Sequence, residues 1–189
     1  MARKEIAVFN SQLMRVAVVC FVSASPALAQ APSANPVSDA IRESWAEAKR
    51  NIDESAALIA DADYGFKPVD SVRSFGALLA HVAGANYVFC ASARGEKPPH
   101  AEDEFEKAAK TKTEIVKAVR ESIAYCDAAY KRLTDRNAGE LVDGAFGAGK
   151  APRAAALIGN AGHNQEHYGN LVTYFRIKGI VPPSSRPRK

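Results

Sequence analysis

Val37 to Ala60 reads VSDAIRESWAEAKRNIDESAALIA, with apolar side chains at Val37, Ile41, Trp45, Ala48, Ile52, Ala56 and Ile59. Steps of three and four place these on one stripe of an α-helix, the pattern of a helix that packs on a core along a single face. Ser38 or Asp39 can cap its start. Gly65 and Pro68, within DADYGFKPVD (Asp61 to Asp70), break the pattern.

Three further helical patterns follow. The second begins after Asp70-Ser71 or at Ser74 and continues to about Ala93, with Phe75, Leu78, Leu79, Val82, Ala85, Val88 and Phe89 on its apolar face; Gly95 and Pro98-Pro99 close it. An acidic, exposed connection containing Asp103 and Glu104 leads to the third, Phe105 to Leu133, whose stripe is Ile115, Val116, Val119, Ile123, Cys126, Tyr130 and Leu133. Thr134 to Ala151 is glycine-rich and reads as a long loop or a brief extended segment. The fourth helix starts near Pro152, a favoured first-turn residue, and ends before Gly179, with Pro182-Pro183 as a hard stop. No convincing strand and no internal repeat is seen. Four amphipathic helices in one chain of 189 residues predict an all-α four-helix bundle over residues 37–183.

The N-terminus predicts export. Arg3, Lys4 and Arg15 precede an apolar run, Val16 to Val22 (VAVVCFV), and Ala27-Leu28-Ala29 supplies a small-residue cleavage site before Gln30. Residues 1–29 therefore read as a cleavable signal peptide, with Met14 as an alternative start. The apolar run is far shorter than the ~20 residues a membrane span needs, so no stable membrane anchor is expected. Val-Ala-Val-Val before Cys20 does not resemble a lipid-attachment signal. Residues 30–36 (QAPSANP) form a Pro/Ala/Ser linker and residues 184–189 a basic tail. Cleavage removes three bases and one acid, lowering the formal net charge from +4 to +2. The remaining bases are interspersed with acids, which disfavours a nucleic-acid surface.

His163 and His167 lie four apart in H-N-Q-E-H, so on a helix both imidazoles share one face, one turn apart, where they can clamp a single ion. Asn160, Asn170 and Tyr174 fall on the same side as the two histidines, a polar row in an otherwise apolar helix. Burying such a row needs partners, and a metal with its hydrogen-bonded surroundings supplies them. His81 sits among Leu78, Val82, Ala85 and Val88, near the apolar face of the second helix. There it is either a satisfied core histidine or a third ligand converging on the pair. His100, in the proline-rich connection, reads as solvated. No Ser-His-Asp or Cys-His nucleophile is legible. Cys90 and Cys126 are too far apart for a C-x-x-C motif; on apolar stripes they read as packing residues that an exported protein is able to pair.

The stretches Gly65-Phe66-Lys67-Pro68, Ser74 to Gly84 (SFGALLAHVAG) and His163 to Pro183 (HNQEHYGNLVTYFRIKGIVPP) resemble the DinB superfamily of DinB/YfiT-like metalloenzymes. The likeness runs from about Val37 to Ser184. It implies a bundle in up-down-down-up order, with a divalent transition metal, Zn or Ni, held by His81, His163 and His167. It also implies a metal-dependent enzyme, a hydrolase or a thiol transferase, acting on an unknown small molecule. Three neutral histidines would leave a coordination position open, as in catalytic zinc sites. Asn160, Glu166, Tyr168, Asn170 and Tyr174 are candidates to orient a ligand or a substrate. Glu166 also makes the motif H-x-x-E-H, the inverted zinc-peptidase pattern, but no acid follows it to serve as the further ligand. A non-catalytic metal-binding protein of the cell envelope is the alternative, as is a self-associating bundle, for which the apolar faces would suit a homodimer. In an up-and-down bundle the two cysteines would lie ~25 Å apart by helix rise. In the implied order the Gly95 to Glu104 crossover brings both toward the same end.

Overall fold

The computed structural model describes residues 33–187, so the signal-peptide reading of residues 1–29 lies outside the described residues. Helix α1 spans Pro36–Leu58 and buries Ile41, Trp45, Ala48, Ile52 and Ala56. Val37 is the exception to the expected stripe: it is exposed in the first turn. The cap also differs from expectation. Neither Ser38 nor Asp39 caps; the carboxylate of Asp135 accepts the Val37 and Ser38 backbone N–H groups at 3.2 and 2.7 Å. A negative charge from a distant segment therefore satisfies the first turn and complements the helix dipole.

The Gly65 to Pro68 segment folds back on the start of α2 (Phe75–Arg94), where Phe75 and Gly76 N–H donate to the Phe66 and Tyr64 carbonyls, each at 2.8 Å. Ser74 caps α2, its hydroxyl accepting the Ala77 N–H. Sixteen of the twenty residues of α2 are buried, which makes this apolar helix the centre of the bundle.

The expected third helix is divided. A short α3 (Glu104–Ala108) ends where Ala109 turns extended, and α4 (Lys112–Arg132) starts afresh. The break has a local cause, a capping box in which the Thr111 hydroxyl takes the Glu114 N–H and the Glu114 carboxylate takes the Thr111 N–H. The glycine-rich connection contains a two-stranded antiparallel ribbon, β1 (Leu141–Asp143) and β2 (Lys150–Pro152), with Val142 opposite Ala151. Strands of three residues are too short to show alternation in the sequence. Pro152 ends β2, and α5 runs Arg153–Ile177, so the proline precedes the helix instead of opening it.

Four main helices, α1, α2, α4 and α5, pack together; α2 lies against α4 and α5, and α1 against the same two from the other side. Trp45 stacks on Tyr130 with ring centres 4.8 Å apart, an arrangement contributing about 0.5–1.5 kcal/mol beyond area burial. The Trp45 indole N–H donates to Asp127 at 2.7 Å, and Arg120 meets Asp53 at 2.9 Å, so α1 and α4 run in opposite directions. One apolar cluster holds Ile52, Phe75, Leu79, Val119 and Phe175; a second holds Trp45, Tyr130, Leu133 and Leu157. Asn86, Ser122, Asn160 and Asn164 are fully buried, and Asn164 donates to Asn86 at 2.7 Å and Asn86 to Ser122 at 3.1 Å. Such a network ties helices together because any unpaired member would carry a desolvation cost.

Cys90 and Cys126 form a disulfide with Cα atoms 5.2 Å apart, late in α2 and late in α4. They are therefore more than packing residues. The bridge closes 36 positions of chain, a loop whose closure restricts the unfolded ensemble by about 3–4 kcal/mol. Replacing both by serine is expected to lower the free energy of unfolding by about that amount, measured by urea denaturation. An unchanged urea midpoint would show that the bridge contributes nothing to stability.

Candidate metal centre

His81 lies in the first half of α2, buried between Leu78 and Val82, while α5 carries His163 and His167 one turn apart and half-buried. The seam between α2 and α5 brings the rings together. His163 Nε2 stands 3.2 Å from His81 Nε2 and 3.0 Å from His167 Nε2. One nitrogen from each ring can be chosen so that all three lie within 4.8 Å of one another. Ligand bonds of ~2.0–2.1 Å require nitrogen separations of roughly 3.3 Å in a tetrahedron and roughly 2.9 Å for cis positions of an octahedron. The two short edges fall between these values, and the third nitrogen pair lies within the 4.8 Å that bounds the set.

Burial holds all three imidazoles below the usual histidine range. For His163 burial is the largest cause, followed by the like charges of His167 and His81, and together with Arg73 they bring it to about 3. His167 is lowered by burial and then by His81, against the opposing pull of Glu166; His81 is lowered by burial and Arg73, against Glu106 and Glu166. All three rings are therefore neutral at physiological pH and present lone pairs, the state that ligates a metal.

The surroundings are uneven. His81 Nδ1 lies 3.4 Å from Glu102 and 4.0 Å from Glu106, whose charge acts on the ring without a hydrogen bond. His163 Nδ1 and His167 Nδ1 are buried without a hydrogen-bond partner among the described residues. Glu102 reaches His81 because the connection after α2 lies against Gly84, where a Cβ would come within 2.6 Å of the Glu102 carbonyl carbon. Glu102 and Glu106 thus join the site, while Asp103 and Glu104 between them are exposed as expected.

The other expected residues separate into two sets. Asn170 and Tyr174 line a pocket of ≈ 480 Å³ beside His167, together with Arg73, Leu78 and Thr173. Glu166 is exposed on α5, with its charge felt at His81 and His167. Asn160 points into the bundle, donating to the Tyr130 hydroxyl at 3.2 Å, and the Tyr168 hydroxyl exchanges hydrogen bonds with Ser184, so neither meets the histidines. His100 rests between Tyr87 and Phe105 and hydrogen-bonds Glu104 at 2.8 Å. Glu102, Glu106 and Arg73 were not foreseen. The signal for the two acids was Gly84 itself, a glycine inside a helix three residues after a histidine, which marks a close backbone approach.

The family model of the DinB superfamily matches residues 32–171. The chain belongs to the DinB superfamily. Solved structures agree with this fold. A DinB-like protein from Bacillus subtilis is 22% identical with a TM-score of 0.60, covering 79% of this chain and 99% of that one. One from Bacillus cereus is 17% identical with a TM-score of 0.60, covering 77% and 95%. A mycothiol-dependent maleylpyruvate isomerase is 17% identical with a TM-score of 0.59; the match covers 71% of this DinB chain but only 60% of the isomerase's own length. No match is found among curated proteins.

Proposed function

We propose that this DinB-superfamily chain is exported and binds one divalent transition metal ion, Zn or Ni, through His81, His163 and His167, as an enzyme acting on a small molecule. The observation that carries this reading is the convergence of three neutral imidazole nitrogens from two helices distant in sequence. Hydrogen bonding alone explains that convergence poorly. Each neutral ring nitrogen carries one proton or one lone pair, so His163 Nε2 cannot satisfy both His81 and His167 at once.

A divalent ion held there supplies Lewis acidity, lowering the pKa of a water or thiol placed against it. The chain's own residues define the rest. Glu102 and Glu106 place negative charge beside His81 Nδ1, at 3.4 and 4.0 Å, while its Nε2 faces His163. Asn170 and Tyr174 stand in the pocket lined by His167, so a substrate held there lies beside one of the three ligand histidines. Likeness of fold to a mycothiol-dependent isomerase supports thiol chemistry, and an exported location supports hydrolysis, since low-molecular-weight thiols are less assured outside the cytoplasm.

The signal-like N-terminus and the Cys90–Cys126 disulfide support export, because such bridges persist in oxidising compartments. The helix pairings support the up-down-down-up order: α2 and α4 place their late cysteines together, and α1 opposes α4. The test is metal analysis of mature protein purified without chelators, followed by a screen for metal-restored turnover. About one ion per chain is expected. Protein that carries none and cannot be loaded with Zn or Ni would overturn the reading.

A further inference from the structure

We propose that the small molecule taken by this site carries a carboxylate, which Arg73 binds in the pocket beside His167. The inference rests on the metal-site reading above and adds the substrate class. Among the described residues, Arg73 is the one charged side chain lining that pocket, which it shares with His167, Asn170, Thr173 and Tyr174. Leu78, Val72 and Pro68 supply an apolar wall, suited to a short carbon chain between an anionic end and the metal.

Arg73 is held ready on both sides. Its backbone carbonyl accepts the Tyr174 hydroxyl at 2.9 Å, and its Nε–H is shared between the two Glu106 oxygens at 3.1 and 3.2 Å. The guanidinium has further N–H donors on its two Nη atoms, and none has a hydrogen-bond acceptor among the described residues. Glu106 thus fixes the plane of the fork through one edge and leaves the Nη groups available. Such a fork matches a carboxylate bidentately. Glu106 already pairs with Arg73 through Nε, so a bound carboxylate shares the guanidinium with it; Glu102 faces His81 from the crossover, and exposed Glu166 does not line the pocket.

Two thiols test the proposal, 3-mercaptopropionate and 2-mercaptoethanol. Both offer sulfur to a metal, and one carries a carboxylate. Each is titrated into the full mature chain loaded with Co(II), following the sulfur-to-cobalt charge-transfer absorption, and the ratio of the two affinities is taken. Relative to Arg73→Gln, the native chain is expected to favour 3-mercaptopropionate by an extra factor of about tenfold or more, the scale of a charge-assisted hydrogen bond. Arg73→Lys should retain part of that preference. Asn170→Asp, at an exposed position, adds a like charge to the pocket and should lower it. An affinity ratio unchanged between the native chain and both Arg73→Gln and Asn170→Asp overturns the carboxylate proposal while leaving the metal site standing. A native chain that takes up no Co(II) overturns both.

Discussion

Replacing Gly84 by alanine is expected to destabilise the protein by about 3 kcal/mol or more and to weaken metal binding together with it. The added Cβ would fall within 2.6 Å of the Glu102 carbonyl carbon and closer still to its oxygen. These are backbone atoms, so no rotamer change relieves the overlap. The crossover between α2 and α3 must lift, and it carries Glu102, which faces His81 Nδ1 at 3.4 Å. Loss of a partner to a ligating imidazole lowers metal affinity by roughly 10- to 100-fold. Urea denaturation and a competitive metal titration read the two effects separately. Native-like values in both would show that the connection does not rest on Gly84 as described.

His163→Ala is expected to weaken Zn binding by roughly 100- to 1,000-fold, the share of a typical apparent zinc-binding free energy that one ligand of several provides. His163 is the choice among the three because its Nε2 is within 3.2 Å of both others. In the metal-free state the same change should cost little. It removes a buried Nδ1 with no partner and a ring whose charged form its neighbours oppose, which offsets the lost packing. Native protein is therefore expected to gain thermal stability on adding Zn, while His163→Ala gains almost none and starts within ~1 kcal/mol of the metal-free native chain. Equal Zn-dependent stabilisation of the two would place the metal elsewhere.

Much of this architecture was legible in the chain. Apolar side chains at steps of three and four mark α1, which buries a single stripe, whereas α2, expected to show one apolar face, is buried on nearly all sides; the i,i+4 spacing of His163 and His167 needs nothing beyond helical geometry. Where strong local chemistry interrupts a stripe, the stripe misleads. The Thr111–Glu114 capping box divides what periodicity joins, though the T-x-x-E signature was present in the sequence. The three-residue strands leave no periodic trace, and the cap on α1 comes from Asp135, which no local pattern reveals. The same reason hides Arg73, Glu102 and Glu106. Arg73 and Glu102 reach the site from connecting segments and Glu106 from the short α3, whose paths are set by tertiary contacts such as the one at Gly84. Asn160 and Tyr168 illustrate the converse: they occupy the right helix but turn toward Tyr130 and Ser184.

X-ray absorption of the Zn-loaded mature chain tests the central claim most directly. Three imidazole nitrogens at ~2.0–2.1 Å, with the multiple-scattering pattern of histidine rings, are the predicted first shell, reduced to two in His81→Ala. A shell built only of oxygen atoms, or one that His81→Ala leaves unchanged, would contradict the account.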